Sequence, residues 1–566
     1  MPTLDQVSAP VPAAAPGRPP RPSATLVVVR NAEPGFEVLL SRRAERGDYN
    51  SGAWVFPGGL VDPGDAQAYG CCAGLDDAAA SARLGIAKGG LDFYVAAVRE
   101  CFEESGLLFA TGTSGTLIEL DEDAAARVAP WRIALHRGGR TLAEFCAEFR
   151  LQLAVDRLIY LSHWVTPLGR AKRFDTRFFL ALAPPVQTAL HDGTEMVEQL
   201  WLRPAAALLE SAALKLLTPT QKTLELLTRF DNVEALIEWA GANREVRLTV
   251  PRIGVGREGV RPVVPDEPAW AELGRIDPEG RGTQSYEINP GVAVRLSPRV
   301  IRVTAGNGSV MTGPGTNSYL VGGGAENEWA VVDPGPADEV HVQAILAAAP
   351  GPIHWIFATH THNDHSPATV RLKALTGAHV HGLLPAHSEW QDPTFEPETL
   401  LHGGERIALP GATTLRVLYT PGHASNHLCY LLEEEKTLFT GDHVMQASTV
   451  VINPPDGDMA AYIASLRRLL HEDLEWLAPG HGFLMAEPHR AIEWIIAHRL
   501  KREAKVVAGL RRAQVPSSAE ALLPLVYDDV PERMYPMAMR SLKAHLHKLR
   551  SDGAAQEVEG RWSLCG

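Results

Sequence analysis

Four side chains that commonly bind metal ions lie within six residues of one another, directly after an apolar run. The run extends from Ile353 to Phe357, and the segment that follows reads Ala358-Thr-His-Thr-His-Asn-Asp-His-Ser366. Two histidines at positions i and i+2 of a loop can face one ion, and an Asp-His pair two residues further on can turn toward a second ion. The spacing predicts that His360 and His362 bind one metal, and that Asp364 and His365 bind another. Imidazole and carboxylate ligands suit zinc, and also manganese or iron.

Further candidate ligands recur downstream, each after an apolar segment and beside a glycine. His423 lies in Thr420-Pro-Gly-His, Asp442 in Phe439-Thr-Gly-Asp-His443, and His481 in Ala478-Pro-Gly-His-Gly482. The pattern predicts that all of them occupy loops at one edge of the sheets. A histidine-rich loop can also be merely solvated, but that interpretation does not account for the downstream residues.

These residues resemble the metallo-β-lactamase fold, with the HxHxDH motif of its dinuclear hydrolases. The resemblance implies an αββα sandwich from about Pro298 onward that binds two Zn²⁺ ions, or Mn²⁺ or Fe in their place. It assigns His360, His362 and His423 to the first ion, and Asp364, His365 and His481 to the second. Asp442 would bridge the two ions, and Asp364 is also expected to be catalytic.

A cluster of glutamates in the N-terminal half suggests a different metal site. In Arg99-Glu-Cys-Phe-Glu-Glu-Ser-Gly-Leu107, Glu100 lies three and four residues before Glu103 and Glu104, so the three carboxylates share one helix face. Like charges repel there, and a divalent cation would compensate, with Mg²⁺ or Mn²⁺ best suited to carboxylate oxygens. Three glutamates alone would favour a solvated acidic face. The flanking Arg99 and Gly106 favour the metal site, in which all three glutamates are expected to be catalytic.

The segment from Arg99 to Leu107 resembles the second half of the Nudix box. The first half appears as Gly59-x5-Asp65, with Asp in place of Glu and residues 66–98 inserted before Arg99. A split box, Phe56-Pro-Gly-Gly59 and Arg173-Phe-Asp-Thr-Arg-Phe-Phe179 are similar to the coenzyme A diphosphatase branch of Nudix hydrolases. The resemblance implies an α/β/α sandwich, an Arg99 that orients a carboxylate, and a further ligand or base from Glu195 or Glu198.

Length and charge limit the possible classes of protein. A chain of 566 residues is too long for one core and predicts several domains. Its net charge of −14 argues against a protein that coats nucleic acid generally. The six cysteines lack CxxC spacing, which fits a reducing cytoplasm, and no apolar run is long enough to cross a bilayer. We therefore expect a cytoplasmic protein with no membrane partner, whose oligomeric state the sequence does not determine.

Composition and the two resemblances together divide this α/β multidomain chain into five predicted segments. They are a disordered tail over 1–22, a Nudix domain over 23–245, a Pro- and Gly-rich connector over 246–297, a metallo-β-lactamase domain over 298–487 and a winged helix over 488–566. The winged helix is predicted from three helical segments, Ala491 to Leu510, Ala519 to Val526 and Met534 to Leu549, followed by two short strands. This last segment carries 13 Lys and Arg against nine Asp and Glu, which suggests either nucleic-acid contact or a solvated packing module.

The C-terminal half is similar to lactamase-β-like proteins, a group that includes single-strand endoribonucleases and thioesterases of acyl carrier proteins. The winged helix favours an RNA phosphodiester as its substrate, beside Nudix cleavage of a nucleotide or coenzyme A diphosphate. Single-stranded RNA and a nucleotide or coenzyme A derivative are therefore the expected partners. The first alternative is a thioesterase of acyl-CoA or other acyl thioesters, resembling glyoxalase II, with the Nudix half as a substrate-binding module. The second is an RNA-binding protein without turnover.

Overall fold

The computed structural model describes residues 19–45, 50–211, 213–242, 244–324, 327–446 and 448–565. The chain divides into two compact units, Met1–Ile253 and Gly254–Gly566. Of the predicted tail, residues 1–22, only 19–22 are described, and the first strand begins at Arg21. No helix among the described residues is both long enough and apolar enough to cross a membrane.

The first unit is built on one mixed sheet with helices around it. Its strands are β1 (Arg21–Asn31), β2 (Phe36–Arg43), β3 (Trp54–Val55), β4 (Gly58–Leu60), β5 (Ala110–Thr111), β6 (Gln152–Leu153), β7 (Ile159–Val165), β8 (Phe174–Leu182), β9 (Met196–Leu202) and β10 (Leu248–Thr249). Its helices are α1 (Asp77–Leu84), α2 (Gly90–Ser105), α3 (Glu122–His136), α4 (Leu142–Phe149), α5 (Pro204–Leu209), α6 (Thr218–Leu227) and α7 (Val233–Gly241). In the large sheet the strand order is β10-β7-β8-β1-β2-β3, with β4 paired to β1 and β9 to β2, whereas β5 and β6 form a separate pair.

Both faces of the central strand β1 are buried, as in an α/β/α sandwich. Leu26 and Val28 pack in the core formed with α2, while Val27 and Val29 are fully buried and point the other way. Helix α2, which carries the three glutamates, therefore lies across the middle of the sheet, where packing holds it most firmly.

The residues inserted between the two box halves form structure that supports α2. They include a 3₁₀ helix at Asp65–Cys71 and helix α1, whose Asp77 carboxylate accepts the backbone N–H groups of Gly89 and Leu91 at 3.0 Å. These groups lie at the start of α2, where backbone N–H groups have no partner within the helix. The insertion thus caps the helix at the end opposite the glutamates.

The second unit begins with a hairpin and a short helix and continues through two sheets. Its strands are β11 (Arg252–Gly256), β12 (Gly259–Val263), β13 (Ala293–Ser297), β14 (Val300–Thr304), β15 (Asn317–Gly323), β16 (Glu328–Val332), β17 (Ile353–Phe357), β18 (His379–Gly382), β19 (Thr399–Leu400), β20 (Arg406–Leu409), β21 (Thr413–Tyr419), β22 (Leu428–Leu432), β23 (Thr437–Gly441), β24 (Trp476–Pro479), β25 (Ala555–Val558) and β26 (Arg561–Leu564). Its helices are α8 (Trp270–Ile276), α9 (Glu339–Ala348), α10 (Ala368–Thr376), α11 (Met459–Leu469), α12 (Pro488–Ala513), α13 (Ala519–Val526) and α14 (Tyr535–Ser551).

The two large sheets of this unit face each other across an apolar core, and helices cover their outer faces. One sheet runs β13 to β19 in sequence order and the other β20 to β24. Tyr319 and Phe357 of the first sheet pack against Tyr430 and Phe439 of the second. Helices α9 and α10 cover the first sheet, and α11 with the beginning of α12 covers the second. The architecture is the expected αββα sandwich.

The C-terminal residues form the predicted winged helix. Helix α13 has the predicted bounds, α12 and α14 differ from theirs by one to three residues, and β25 pairs with β26. The 26-residue helix α12 joins this module to the sandwich, because Ile492 and Ile495 pack on the second sheet while Val506 and Leu510 belong to the winged-helix core. The predicted connector, 246–297, contains β10 to β13 and also α8, a helix that its Pro- and Gly-rich composition does not indicate.

Candidate metal centres and active-site cavity

The histidine-rich segment is a loop fixed at the end of β17. The backbone N–H and the hydroxyl of Thr359 both donate to Asp333, at 2.7 and 2.9 Å. His360 and His365 are buried, whereas His362 is half-buried beside them. The loop is therefore rigidly held with its imidazoles directed inward, unlike a solvated loop.

All seven predicted ligands of the second unit converge at this loop. Their donor atoms form three overlapping groups in which every atom lies within 4.8 Å of the others. The groups are His360, His362 and His423; His360, His365 and Asp442; and Asp364, His365 and His481. The first and third groups contain the ligands of the two predicted metal sites. The second group contains one histidine from each site together with Asp442, the predicted bridge.

The distances between donor atoms suit a metal centre. His423 Nε2 lies 3.0 Å from His362 Nδ1, His365 Nε2 lies 3.4 Å from Asp442 Oδ1, and His481 Nε2 lies 3.4 Å from Asp364 Oδ2. Two ligands bound tetrahedrally to one zinc at about 2.0–2.1 Å are separated by roughly 3.4 Å. His360 Nε2 and His365 Nε2 are also buried without a hydrogen-bond partner. Since buried polar atoms are rarely left unpaired, the residues present fit a pair of divalent cations.

The other ring nitrogens of these histidines are held by hydrogen-bond acceptors. Nδ1 of His365 lies 2.9 Å from Asp333 Oδ2, Nδ1 of His423 lies 2.7 Å from the Val451 carbonyl oxygen, and Nδ1 of His481 lies 3.1 Å from the Gly315 carbonyl oxygen. An acceptor at Nδ1 requires the proton there and leaves the lone pair of Nε2 for a cation.

The electrostatics of the cluster suit a cation. Burial and the neighbouring His365 hold the pKa of His360 well below its usual range, so this imidazole is neutral. Burial acts to raise the pKa of Asp364, but His365 and then His481 bring it down to about 2. For His365, burial acts to lower the pKa, but the carboxylates of Asp364 and Asp442 raise it above its usual value. Cation binding would therefore displace protons that these carboxylates hold on the histidines.

A glycine makes this convergence possible at His481. A Cβ atom on Gly480 would lie 2.7 Å from the His365 ring and 2.8 Å from Asp442 Oδ1. Any larger residue would push two candidate ligands aside, which explains the Pro-Gly-His sequence at this position. Asp333, which holds Thr359 and His365, is a further functional candidate that the spacing of the metal-ligand motif does not indicate. Its position after a buried strand was the available signal.

A cavity of about 610 Å³ opens above the candidate centre. His362, Asp364, His423, Asp442 and His481 line one end of it. Four of the nine methionines in the chain also line the cavity, beside polar and charged residues: Met311, Met445, Met534 and Met537. Two of them come from the winged-helix module, which therefore forms one wall of the cavity.

The arginines that line this cavity already have partners within the protein. Arg499 is buried and donates to the carbonyl oxygen of Val450. Arg502 forms an ion pair with Asp529 at 2.8 Å. The guanidinium of Arg540 lies over the ring of Trp390, 5.6 Å from its centre. The three guanidinium groups near the cavity therefore contact other residues of its wall.

In the first unit, two backbone glycines shape the surroundings of the glutamates. The N–H of Gly58 donates to Glu104 Oε2 at 2.9 Å. A Cβ atom on Gly59 would lie 2.4 Å from the carboxylate of Glu100. The Phe-Pro-Gly-Gly sequence therefore lets the β4 backbone approach the acidic face of α2 without a side chain in between.

The split box is closed by an ion pair between its two halves. Arg99 donates from Nε to Asp65 Oδ1 at 2.7 Å and from Nη2 to Asp65 Oδ2 at 3.1 Å, and both residues are largely buried. Arg99 also donates to Glu100 at 2.9 Å. Asp65 thus provides the carboxylate that the box requires, despite the insertion, and Arg99 orients one member of the triad.

Burial dominates the electrostatics of the three glutamates. It raises the pKa of Glu103 to about 7 and that of Glu104 well above its usual range. Among the described residues, the close groups of three donor atoms all belong to the second unit. The carboxylate oxygens of the three glutamates therefore lie farther apart than the donor atoms of the histidine-rich centre. A divalent cation would relieve the desolvated charge, and the residues present fit one.

The two additional candidates in this unit differ in position. Glu195 is half-buried and acts electrostatically on both Glu100 and Glu104. Glu198 is exposed and pairs with Arg42 at 3.0 Å. Glu195 is therefore the better candidate for a further ligand or base.

Comparison with protein-family models identifies three domains in the order that the sequence predicts. The NUDT19 Nudix domain matches residues 80–226. The metallo-beta-lactamase superfamily matches residues 311–481, and the beta-lactamase associated winged helix domain matches residues 518–562.

Curated relatives match the C-terminal half. A beta-lactamase-like protein 2 homolog from Drosophila melanogaster is 31% identical over 272 residues, which cover 46% of this chain and 90% of the relative. An atrochrysone carboxyl ACP thioesterase from Aspergillus chevalieri is 31% identical over 286 residues, 48% of this chain and 89% of the relative.

Solved structures resemble each half separately. A metallo-beta-lactamase family protein from Thermus thermophilus is 23% identical, with a TM-score of 0.41, and covers 48% of this chain and 100% of its own. A NUDIX hydrolase from Alicyclobacillus acidocaldarius is 28% identical, with a TM-score of 0.33, and covers 39% of this chain and 96% of its own.

Proposed function

The chain belongs to the metallo-β-lactamase superfamily and carries a Nudix domain before its metallo-β-lactamase domain. From this premise we propose that it is a bifunctional hydrolase of acyl-coenzyme A or related acyl thioesters. The C-terminal half would hydrolyse the thioester, and the N-terminal half the diphosphate of the coenzyme A moiety. Both bonds occur in a single acyl-CoA molecule, which gives a chemical reason for joining these two domains.

The observation that carries the thioester proposal is the lining of the cavity. Methionine is flexible and polarizable, and four methionines at one site suit an apolar group of variable shape, such as an acyl chain. A volume of about 610 Å³ is within the range of small-molecule sites. The relative named as an acyl carrier protein thioesterase supports the same bond type.

In this mechanism, the seven candidate ligands would hold two divalent cations. When bound, these ions would lower the pKa of a water molecule and polarise the substrate carbonyl. Asp364 faces the cavity and accepts a proton from the attacking water. Water adds to the thioester carbon and the C–S bond breaks, so the products are a carboxylic acid and a thiol. The methionine side chains exclude bulk water and orient the acyl chain.

In the Nudix half, Glu100, Glu103 and Glu104 would hold Mg²⁺ or Mn²⁺ against the diphosphate oxygens. Arg99 and Asp65 hold the helix face in place through their ion pair. Glu195 would assist as base or ligand. Water attacks one phosphorus, and the P–O bond of the diphosphate breaks to give two phosphomonoesters.

Cleavage of single-stranded RNA by the C-terminal half is the second candidate function. It is favoured by Arg540, which lies on the winged helix at the cavity and could contact a phosphate. It ranks second because Arg499 and Arg502 already pair within the protein, whereas RNA binding usually needs several cationic groups directed at phosphates.

The test uses the full-length chain loaded with metal and supplied with octanoyl-CoA. We expect Asp442→Asn to abolish release of the acyl group while diphosphate cleavage continues, and Glu103→Gln to have the opposite effect. Free thiol and the two phosphomonoesters are measured separately. An intact octanoyl thioester together with cleavage of a single-stranded RNA would overturn the thioester proposal in favour of RNA.

A further inference from the structure

The short helix α8 lies in the predicted connector, and the superfamily match begins only at residue 311. Its Glu272 is buried with 2% of its surface exposed, a rare environment for a carboxylate. A buried charge must be paired and hydrogen-bonded to be tolerated. The partners of Glu272 therefore indicate what this helix does.

Glu272 forms a buried ion pair with a residue in the middle of β14. Arg302 donates to Glu272 Oε2 at 2.5 Å and to Oε1 at 2.9 Å. Both side chains have 2% of their surface exposed. The pair fixes α8 to the first sheet of the sandwich.

The same carboxylate has a third contact that an ion pair alone would not require. Glu272 Oε2 accepts the backbone N–H of Leu484 at 2.8 Å. Leu484 lies three residues after His481, a candidate ligand of the second metal site. Glu272 therefore holds the C-terminal side of the loop that carries this histidine.

The opposite side of the loop is held by the beginning of β15. The side-chain amide of Asn317 donates to the carbonyl oxygens of Pro479 and Gly482 at 3.0 and 2.8 Å. The Tyr319 hydroxyl also donates to the Pro479 carbonyl oxygen, at 2.7 Å. Since β14 pairs with β15 and places Arg302 opposite Tyr319, the contacts on both sides of the loop come from two neighbouring strands of the same sheet.

We propose that Glu272 is a positioning residue for the second metal site, which it supports by fixing the loop of His481 against Arg302. The proposal rests on the candidate metal centre of the proposed function, but not on the substrate. It also makes α8 part of the hydrolytic unit, so this part of the connector is not a mere spacer.

The test compares two double variants of the full-length protein. Glu272→Leu/Arg302→Met replaces the buried pair with apolar side chains of similar size, which usually leaves folding intact. It removes the acceptor for the Leu484 N–H. The control is Arg275→Met/Glu435→Leu, which removes an ion pair of 2.6 Å from the same helix. The hydrogen bonds of Arg275 go to Leu296, Thr437 and Glu435 rather than to the His481 loop.

Two measurements are made on each variant: stepwise Zn²⁺ affinity, and hydrogen exchange of metal-free protein over residues 479–486. We expect Glu272→Leu/Arg302→Met to weaken the second ion at least 10-fold, to leave the first unchanged and to accelerate exchange in the loop. The control should behave as wild type. Changes in the outer contacts of ligands typically alter affinity by about 10–100-fold.

Equal weakening of both ions, or wild-type affinity together with wild-type exchange, would overturn the proposal. If the apolar double variant fails to fold, Glu272→Gln replaces it, because the amide still fits beside Arg302 but binds it and Leu484 less strongly. The same selective loss at the second ion is expected, by a smaller factor. Fewer than two ions in wild type would refute the candidate centre itself, while exchange at 479–486 would still decide whether Glu272 fixes the loop.

Discussion

Neutralising Glu103 should stabilise the metal-free Nudix half, although it removes a candidate metal ligand. Burial raises the pKa of Glu103 from its ordinary value of 4.5 to about 7 in the folded protein. A carboxyl group with a raised folded pKa supports folding fully below pH 4.5, and that contribution is lost as the pH rises through 7. Glu103→Gln does not titrate and avoids this loss.

The size of the effect follows from the shift. One pKa unit corresponds to 1.36 kcal/mol, so a shift of this size lowers the free energy of unfolding of wild type by up to about 3 kcal/mol at pH 8. Because Glu103 is only 6% exposed, solvent screening hardly reduces this free-energy effect. Glu100, which repels Glu103, also has a raised pKa, and this coupling lowers the expected gain to roughly 1–3 kcal/mol.

The assay is hydrogen exchange of peptides from Gly90–Ser105 in the full-length chain, with a chelator present, from pH 5 to pH 8. The difference between Glu103→Gln and wild type should be near zero at the lowest pH and grow as the pH rises. Added Mg²⁺ should protect wild type and not the variant. The control is Glu148→Gln, since Glu148 is exposed. A variant less protected than wild type at pH 8 without metal would refute the reasoning.

Four further outcomes test the remaining assignments. Asp442→Asn should reduce the metal content of the full-length protein from two ions in the C-terminal half toward one or none, as measured by elemental analysis. Met537→Trp should reduce kcat/KM for long acyl thioesters at least 10-fold while sparing acetyl-CoA, because the larger side chain fills space in the cavity that Met537 lines. Gly59→Ala should abolish diphosphate cleavage with little change at the thioester, because its Cβ would meet the Glu100 carboxylate at 2.4 Å. Raising the salt concentration from about 50 to 200 mM should change thioester turnover less than threefold, whereas RNA cleavage would fall steeply.

Local spacing, together with the resemblance that it carries, predicted the seven donor residues that converge at the candidate site. The loop from His360 to His365 and the later Pro-Gly-His sequences each place a donor directly after a strand, and the structure brings these side chains together. Their role as ligands stays a prediction. The same applies to the acidic face of α2, because the helical period alone aligns its three glutamates.

Contacts between distant segments could not be predicted in this way. Asp333 follows an ordinary buried strand, and only folding brings it to Thr359 and His365. Four methionines in one cavity are dispersed in the sequence from Met311 to Met537. Neither feature has a local pattern, since both depend on which loops meet at the edge of the sandwich.

The connector shows why composition is a poor guide to a segment whose charges are buried. Helix α8 has seven residues, too few for a helical period to emerge. Its sequence, Trp270-Ala-Glu-Leu-Gly-Arg-Ile276, contains a glutamate, a glycine and an arginine, which together suggest an exposed turn. Arg302 likewise interrupts the apolar strand β14, although every residue of that strand is buried. Each charge alone indicates an exposed position, and only the pair, joined at 2.5 and 2.9 Å, lets both side chains be buried without leaving an unpaired charge. A charged residue within an otherwise buried strand is therefore a reason to look for its partner in segments that composition assigns to a linker.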